Sequence, residues 1–404
     1  MSAINYTFVE QNNQQTTTAS FATVSGMSIS SSFFTAGKKY LILTSVQTHS
    51  APGTTTNVKL KLRHGTTDFT STDSDVNNSA NVGWAVYSTL VVWTAVSSEG
   101  VDLQVFGGAN DGIIDRCALF VMNLSDDLVE NTDWFYNETT ASQGLSTTPA
   151  NGGTITFTPG MAGNDWLVLS TVKINSTDQT NSIISTLARS GEASSSAPSW
   201  RILPNQGANN SNVQCVGRAF SLGNASNTFT EQSSMSAGTS ATRVRSAVFA
   251  INLNKFKDHA VAYTDADVNL GTGSYGTALQ TLSITPSVTG DVWMGSYWGY
   301  DRNNAGGTPN SHWRLQLDNA DQPAGQTADA YGFALGDGSG DEEPYMMTTL
   351  ANLSNASHTL DLDGDVASTT NAPSGQHRQL WAVTMELAAG GGGASADLMG
   401  QICL

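Results

Sequence analysis

Two anchors recur along this chain at a pitch close to 127 residues, and a chain that repeats on that scale folds as copies of one unit. The first anchor is a Gly followed three residues later by a large aromatic that opens an apolar stretch. It occurs as Gly37 to Tyr40, Gly163 to Trp166 and Gly290 to Trp293, spaced by 126 and then 127 residues. Strand-like segments run into it in each copy: Ser28-Ile29-Ser30, Thr154-Ile155-Thr156-Phe157 and Leu282-Ser283-Ile284. Copies two and three share Thr-Pro at 158 and 285, whereas copy one lacks the proline.

The second anchor closes each copy with an alternating strand. One face reads Ala118, Phe120, Met122, Leu124, then Ala247, Phe249, Ile251, Leu253, then Trp381, Val383, Met385, Leu387. These strands end 87, 90 and 97 residues after their glycines. Side chains alternate across a strand, so the four positions share one side and belong in a core. Arg116 and Arg245 hold the same position before the first two strands; Gln379 takes it in the third, with Arg378 adjacent. Each copy also opens on an aromatic strand, at Tyr6, at Trp134-Phe135-Tyr136 and at Val261-Ala262-Tyr263.

Between the anchors, further strands are predicted near 57–63, 84–93 and 101–106, near 182–189, 213–222 and 228–232, and near 311–317, 345–350 and 357–362. That gives seven or eight strands per copy. Only 13% of the residues are charged, and Ser, Thr, Asn and Gly alternate with β-branched and aromatic side chains, which suits strands and tight turns. Apolar clusters such as Tyr40-Leu41-Ile42-Leu43 and Trp166-Leu167-Val168-Leu169 exclude a disordered chain. The expected fold is therefore all-β: three tandem repeated antiparallel β-sandwich domains, jelly-roll-like or Ig-like, with a Gly-rich C-terminal arm.

The boundaries expected are 1–127, 128–256 and 257–388 for the three repeats and 389–404 for the arm. Short connections such as Ser125-Asp126-Asp127 and Asn254-Lys255-Phe256-Lys257 restrict relative motion, which predicts an elongated or compact three-lobed rod. The arm, Gly390 to Gly393 and then Ala394 to Leu404, reads as a frayed tail or as a peptide that docks on a neighbour.

Charge and motif spacing narrow the chemistry. Residues 257–404, the third repeat with its arm, hold 4 basic against 17 acidic residues and so carry 13 of the 17 net negative charges, which argues against nucleic-acid binding. No apolar run approaches membrane-spanning length, and the N-terminus lacks a basic segment followed by an apolar one, so a soluble part made in a cytoplasm is expected. Cys117, Cys215 and Cys403 fall in different segments with no metal or disulfide spacing, and read as two small buried hydrophobes and a tail thiol. Asp361-Leu-Asp363-Gly-Asp365 and the acidic run 337–343 are the only segments that suggest calcium, and neither completes an EF-hand. His49, His64, His259, His312, His358 and His377 are scattered, and no nucleophile elbow is present. No catalytic, cofactor or metal residue is assigned, and the chain is read as not an enzyme. Trp293, Tyr297, Trp298, Tyr300 and Trp313 make the third repeat aromatic-rich, through core packing or through faces for sugar rings.

The Ser/Thr/Asn/Gly-rich strands, segments such as Phe34-Thr35-Ala36-Gly37-Lys38-Lys39-Tyr40-Leu41, the start at Met1, the tandem β-units and the Gly-hinged tail resemble the virion structural proteins of tailed bacteriophages. The resemblance spans the whole chain in style. It implies a capsid-decoration, head-fibre or tail/fibre component made in the host cytoplasm and located in the virion. Such a component would be a homo-oligomer, a trimer among the arrangements, and would contact other virion proteins, with no nucleic acid or membrane partner. The runner-up is a bacterial surface adhesin or carbohydrate-binding protein whose third repeat holds a host-surface glycan.

Overall fold

The structure is a computed structural model that describes residues 3–388 apart from 51–56, 78–83, 97–98, 108–111, 178–180, 194–196, 203–209, 267, 270, 273–277, 302–309, 323–332, 336–344 and 367–373. The arm 389–404, with Cys403, and the acidic run 337–343 lie outside the described residues.

The chain is all-β, with six antiparallel sheets paired into three sandwiches. In the first sandwich the inner sheet orders Tyr6–Gln11, Gly112–Asn123, Lys39–Ser50 and Trp84–Thr94, and the outer sheet orders Ala22–Ile29, Val101–Phe106, Asn57–His64 and Ser74–Asn77. Numbered along the chain, the eight strands run 1-8-3-6 in one sheet and 2-7-4-5 in the other. The second sandwich repeats this order with Trp134–Thr139, Ala241–Asn252, Asn164–Ser176 and Asn210–Leu222 facing Ala150–Phe157, Asn227–Met235, Ile183–Arg189 and Ser199–Ile202. The third repeats it again, with His259–Thr264, Ser374–Thr384, Gly290–Asp301 and Tyr345–Leu353 facing Ala278–Ile284, His358–Val366, Asn310–Leu317 and Ala320–Gln322. A chain that changes sheet at every step except the hairpin from strand four to strand five, in this order, is a jelly roll, so the immunoglobulin-like option falls away. Among the described residues a single ladder contact, Ser211 to Asp75, joins the inner sheet of the second sandwich edge-on to the outer sheet of the first.

Both faces of each closing strand are buried, because the runs that form them are nearly continuous in apolar residues. Cys117, Leu119 and Val121 fill the first sandwich, while Phe120, Met122 and Leu124 turn the other way. They meet Phe249, Ile251 and Leu253 of the second sandwich and Trp381, Val383, Met385 and Leu387 of the third in one continuous cluster. The four-residue faces read from sequence thus form a core shared by the sandwiches rather than the interior of each. Every sandwich touches both others: strand Trp84–Thr94 packs on Asn210–Leu222, Asn210–Leu222 on Ser374–Thr384, and Gly112–Asn123 on Tyr345–Leu353. The predicted rod is a closed three-membered ring, because the shared face can be covered on all three units only by closing.

The glycine anchor is genuine in two copies and displaced in the third. Gly37 and Gly163 sit at φ +80° and +81°, a left-handed turn that an L residue enters only at a cost, whereas Gly290 lies inside a strand and outside the positive-φ set. Tyr40 and Trp166 accordingly face their own sandwich interiors, Trp166 lying 4.4 Å from Phe157. Trp293 faces the shared core, stacked on Phe120 at 4.7 Å and 5°. The third copy is therefore out of step by one residue, and Val292 fills the sandwich position.

Candidate functional site

The polar chemistry of the molecule concentrates at the three seams where one inner sheet meets the next. Each closing strand carries a bulge, at Asp115, Val244 and His377, where the register with strand three slips by one residue. A bulge re-aims the side chains beside it, and Arg116 and Arg245 follow it directly, whereas Gln379, read from sequence as their counterpart, lies opposite Tyr263 at the place that Ala118 and Ala247 hold in the first two copies.

At the seam between the second and first sandwiches, Arg245 is fully buried. It donates from Nε to Glu138 Oε1 at 2.6 Å and from Nη2 to the Leu90 carbonyl at 2.7 Å. Burial opposes its charge, but Tyr136 and Glu138 outweigh burial and hold the guanidinium above its ordinary value. Ser88 adds two more bonds across the seam: it accepts from the Cys215 amide at 2.9 Å and meets Gln214 Oε1 at 3.3 Å.

The seam between the first and third sandwiches repeats the pattern loosely. Glu10 occupies the place of Glu138, each paired with the alanine two residues after its arginine, Ala118 and Ala247. Glu10 accepts from Thr349 of the third sandwich at 3.4 Å and approaches Arg116 only to 3.5 Å. The buried Arg116 nitrogens find no hydrogen-bond acceptor. Burial raises the Glu10 carboxyl above its usual range, and Arg116, Asn12 and Thr349 offset this only in part. Tyr6 donates to Asp291, and the Ile4 amide bonds the Met385 carbonyl at 3.0 Å.

At the seam between the third and second sandwiches the Glu–Arg pair is gone. Tyr263 takes the glutamate's place, meets His377 Nδ1 at 3.1 Å and lies under the Arg218 guanidinium at 3.8 Å. Gln379 accepts from the Ala219 amide at 2.8 Å, and Tyr297 donates to the Ser199 carbonyl at 2.6 Å. The three seams form a cycle in which each sandwich reaches strand six of the next. Chemically the arrangement is adhesive: it fixes three bodies in one orientation.

The residues weighed as ligands in sequence are dispersed. Asp361 and Asp363 lie on strand His358–Val366, not in a loop; Asp361 accepts from Thr281 at 2.6 Å, and Asp363 pairs with Arg314 at 2.9 Å. No group of three or more potential metal-binding side chains occurs among the described residues. His64 pairs with Glu99, His259 with Asp165 and His358 with Asp318, at 2.6, 3.2 and 2.6 Å. The side chains of His49 and His312 lie outside the described residues. Trp293, Tyr297, Trp298 and Trp313 are all buried, so the third repeat's aromatic wealth is packing and offers no sugar-stacking face from these four. Cys117 and Cys215 are buried and free, and burial pushes the Cys215 thiol up to about 12. What the sequence missed is the role of Glu10 and Glu138, whose signal was a shared place on the opening strands opposite the two arginine-bearing ones.

No protein-family model matches the chain, and no curated protein matches it. Similar solved structures include one on the triple jelly roll fold and turret assembly in an archaeal virus, 12% identical, covering 94% of this chain and 92% of that one, with a TM-score of 0.19. PNGF-II is 10% identical over 87% of this chain and 100% of that one, with a TM-score of 0.28. The STIV MCP is 10% identical over 62% and 95%, with a TM-score of 0.22. At these TM-scores the likenesses bear on neither fold nor function.

Proposed function

We propose that the chain is a non-enzymatic structural subunit of a virion, a capsid-decoration, head-fibre or tail/fibre component. The observation that carries this reading is one jelly roll built three times and locked around a common core, an architecture whose investment lies in rigidity rather than in a reactive cleft. Jelly rolls recur in capsid and lectin domains, although fold alone fixes neither role. The building units are taken as 1–127, 128–256 and 257–388, with outer sheets facing neighbours and the arm 389–404 docking on a virion partner or a second copy.

The test is localisation of the chain in purified particles by electron microscopy, together with deletion of 390–404. The truncated chain is expected to fold and to incorporate poorly. Absence of the full-length chain from particles overturns the reading, and normal incorporation of the truncated chain overturns the docking arm.

A further inference from the structure

A groove of about 530 Å³ lies between the outer sheet of the first sandwich and the inner sheet of the second, within the range of about 300–1,000 Å³ that small-molecule sites occupy. Its polar groups are built in. Lys173, with a side chain only 7% exposed, reaches across from the second sandwich to Asp73 of the first at 2.7 Å. Lys61 pairs with Asp68 at 2.9 Å, and both line the same groove. The facing wall is supplied by Asn175 and Thr242, neighbours on adjacent strands.

One wall is aromatic. Phe21 is 39% exposed, one of four large hydrophobics exposed among the described residues, although it is ringed by polar side chains. Lys61 Nζ lies 4.1 Å from its ring centre and Phe106 5.5 Å away, so the ring is held in place while part of it faces the groove.

We propose that this groove binds a saccharide. A sugar presents vicinal hydroxyls that both donate and accept, beside a patch of C–H groups. Ammonium groups and the Asn175 amide supply donors, the two carboxylates supply acceptors, and the Thr242 hydroxyl does both. Three lysines, Lys59, Lys61 and Lys173, face two aspartates in the groove, and because Lys61 and Lys173 are each paired with an aspartate the net charge is only one positive, which favours hydroxyl recognition over capture of a polyanion. The exposed part of Phe21 takes the C–H patch. This proposal does not rest on the virion reading, and it places glycan chemistry between the first two sandwiches, not in the third.

The full chain is applied to an array of neutral, uronic-acid and phosphorylated oligosaccharides, and the strongest hit is titrated calorimetrically. Selective binding is expected, with Phe21→Ala and Asn175→Ala each weakening it about tenfold or more and the remote, exposed Met161→Ala leaving it unchanged. Both groove residues are exposed, and melting curves confirm that the variants fold. Retention of no saccharide overturns the proposal, as does a hit whose affinity survives both groove substitutions. Binding confined to acidic glycans and abolished by salt also overturns it, since that result reports charge alone.

Discussion

Arg116 and Arg245 occupy the same place in two jelly rolls, yet replacing each by Met should have opposite consequences. Arg245 is fully buried, pairs with Glu138 and caps the Leu90 carbonyl of the neighbouring sandwich. Removing an arginine that is fully buried and fully bonded costs about 3–5 kcal/mol, because the Glu138 carboxylate loses its partner and the Leu90 carbonyl its donor. The Arg116 guanidinium meets no well-placed hydrogen-bond acceptor, and its ion pair with Glu10, a carboxyl already raised by burial, is a loose one at 3.5 Å. Its replacement by an apolar side chain of similar length should change stability by no more than about 1 kcal/mol, since little satisfied polar interaction is lost. Unfolding entropy of about 2.1 cal/mol/K per residue makes a loss of about 4 kcal/mol worth about 5 °C if all 404 residues melt together. If the second sandwich melted alone, with roughly 130 residues, the same loss would be about 15 °C in one of several transitions. Differential scanning calorimetry of both variants distinguishes these outcomes. Equal losses for Arg116→Met and Arg245→Met would refute the seam geometry, and a single large shift confined to one transition would refute the shared core.

Three further outcomes follow from the same physics. Phe120→Ala and Trp293→Ala should each cost about 3–5 kcal/mol in urea unfolding, with a double mutant well short of the sum because the rings stack on each other; additive losses count against the first-to-third seam. Gly37→Ala and Gly163→Ala should each cost about 1–2 kcal/mol for forcing an L residue into the left-handed region, whereas Gly290→Ala, with only Glu386 Oε1 at 3.8 Å, should be close to neutral by thermal melting. Glu10 has a folded-state pKa raised above its unfolded value, so its protonated form is the favoured one: the stability it contributes is fully present below the unfolded value, near 4.5, and is lost as pH rises through the raised one. Glu10→Gln should therefore gain on wild type as pH is raised from about 4 to 7, and a pH-independent difference in urea midpoint would contradict this.

The sequence disclosed the repeat, the all-β class and the closing strands because each is a local pattern: an alternating face, a turn glycine, an aromatic opening. It did not disclose ring closure. The contacts that close the ring join residues such as Tyr6 and Asp291, or Ile4 and Met385, which no periodicity relates. One clue was available, since strands such as Cys117-Ala-Leu-Phe-Val-Met122 are apolar on both sides and require a second cover. The third glycine misled for a different reason: a Gly and a Trp three apart recur there with strand three shifted by one residue. The aromatic cluster of the third repeat was legible as core or as a binding face, and only its burial decided between them.

Three bodies joined by three seams would, as separate identical chains, be bound to one interface repeated three times, and any substitution would appear in all of them at once. Covalent linkage lifts that constraint. One seam can keep a tight Glu–Arg pair, a second can let the same pair slacken, and a third can exchange it for Tyr263 and His377. The same freedom allows most of the net negative charge to gather on one body. A single reading frame thus gives a threefold plan the means to present three different sides to its surroundings.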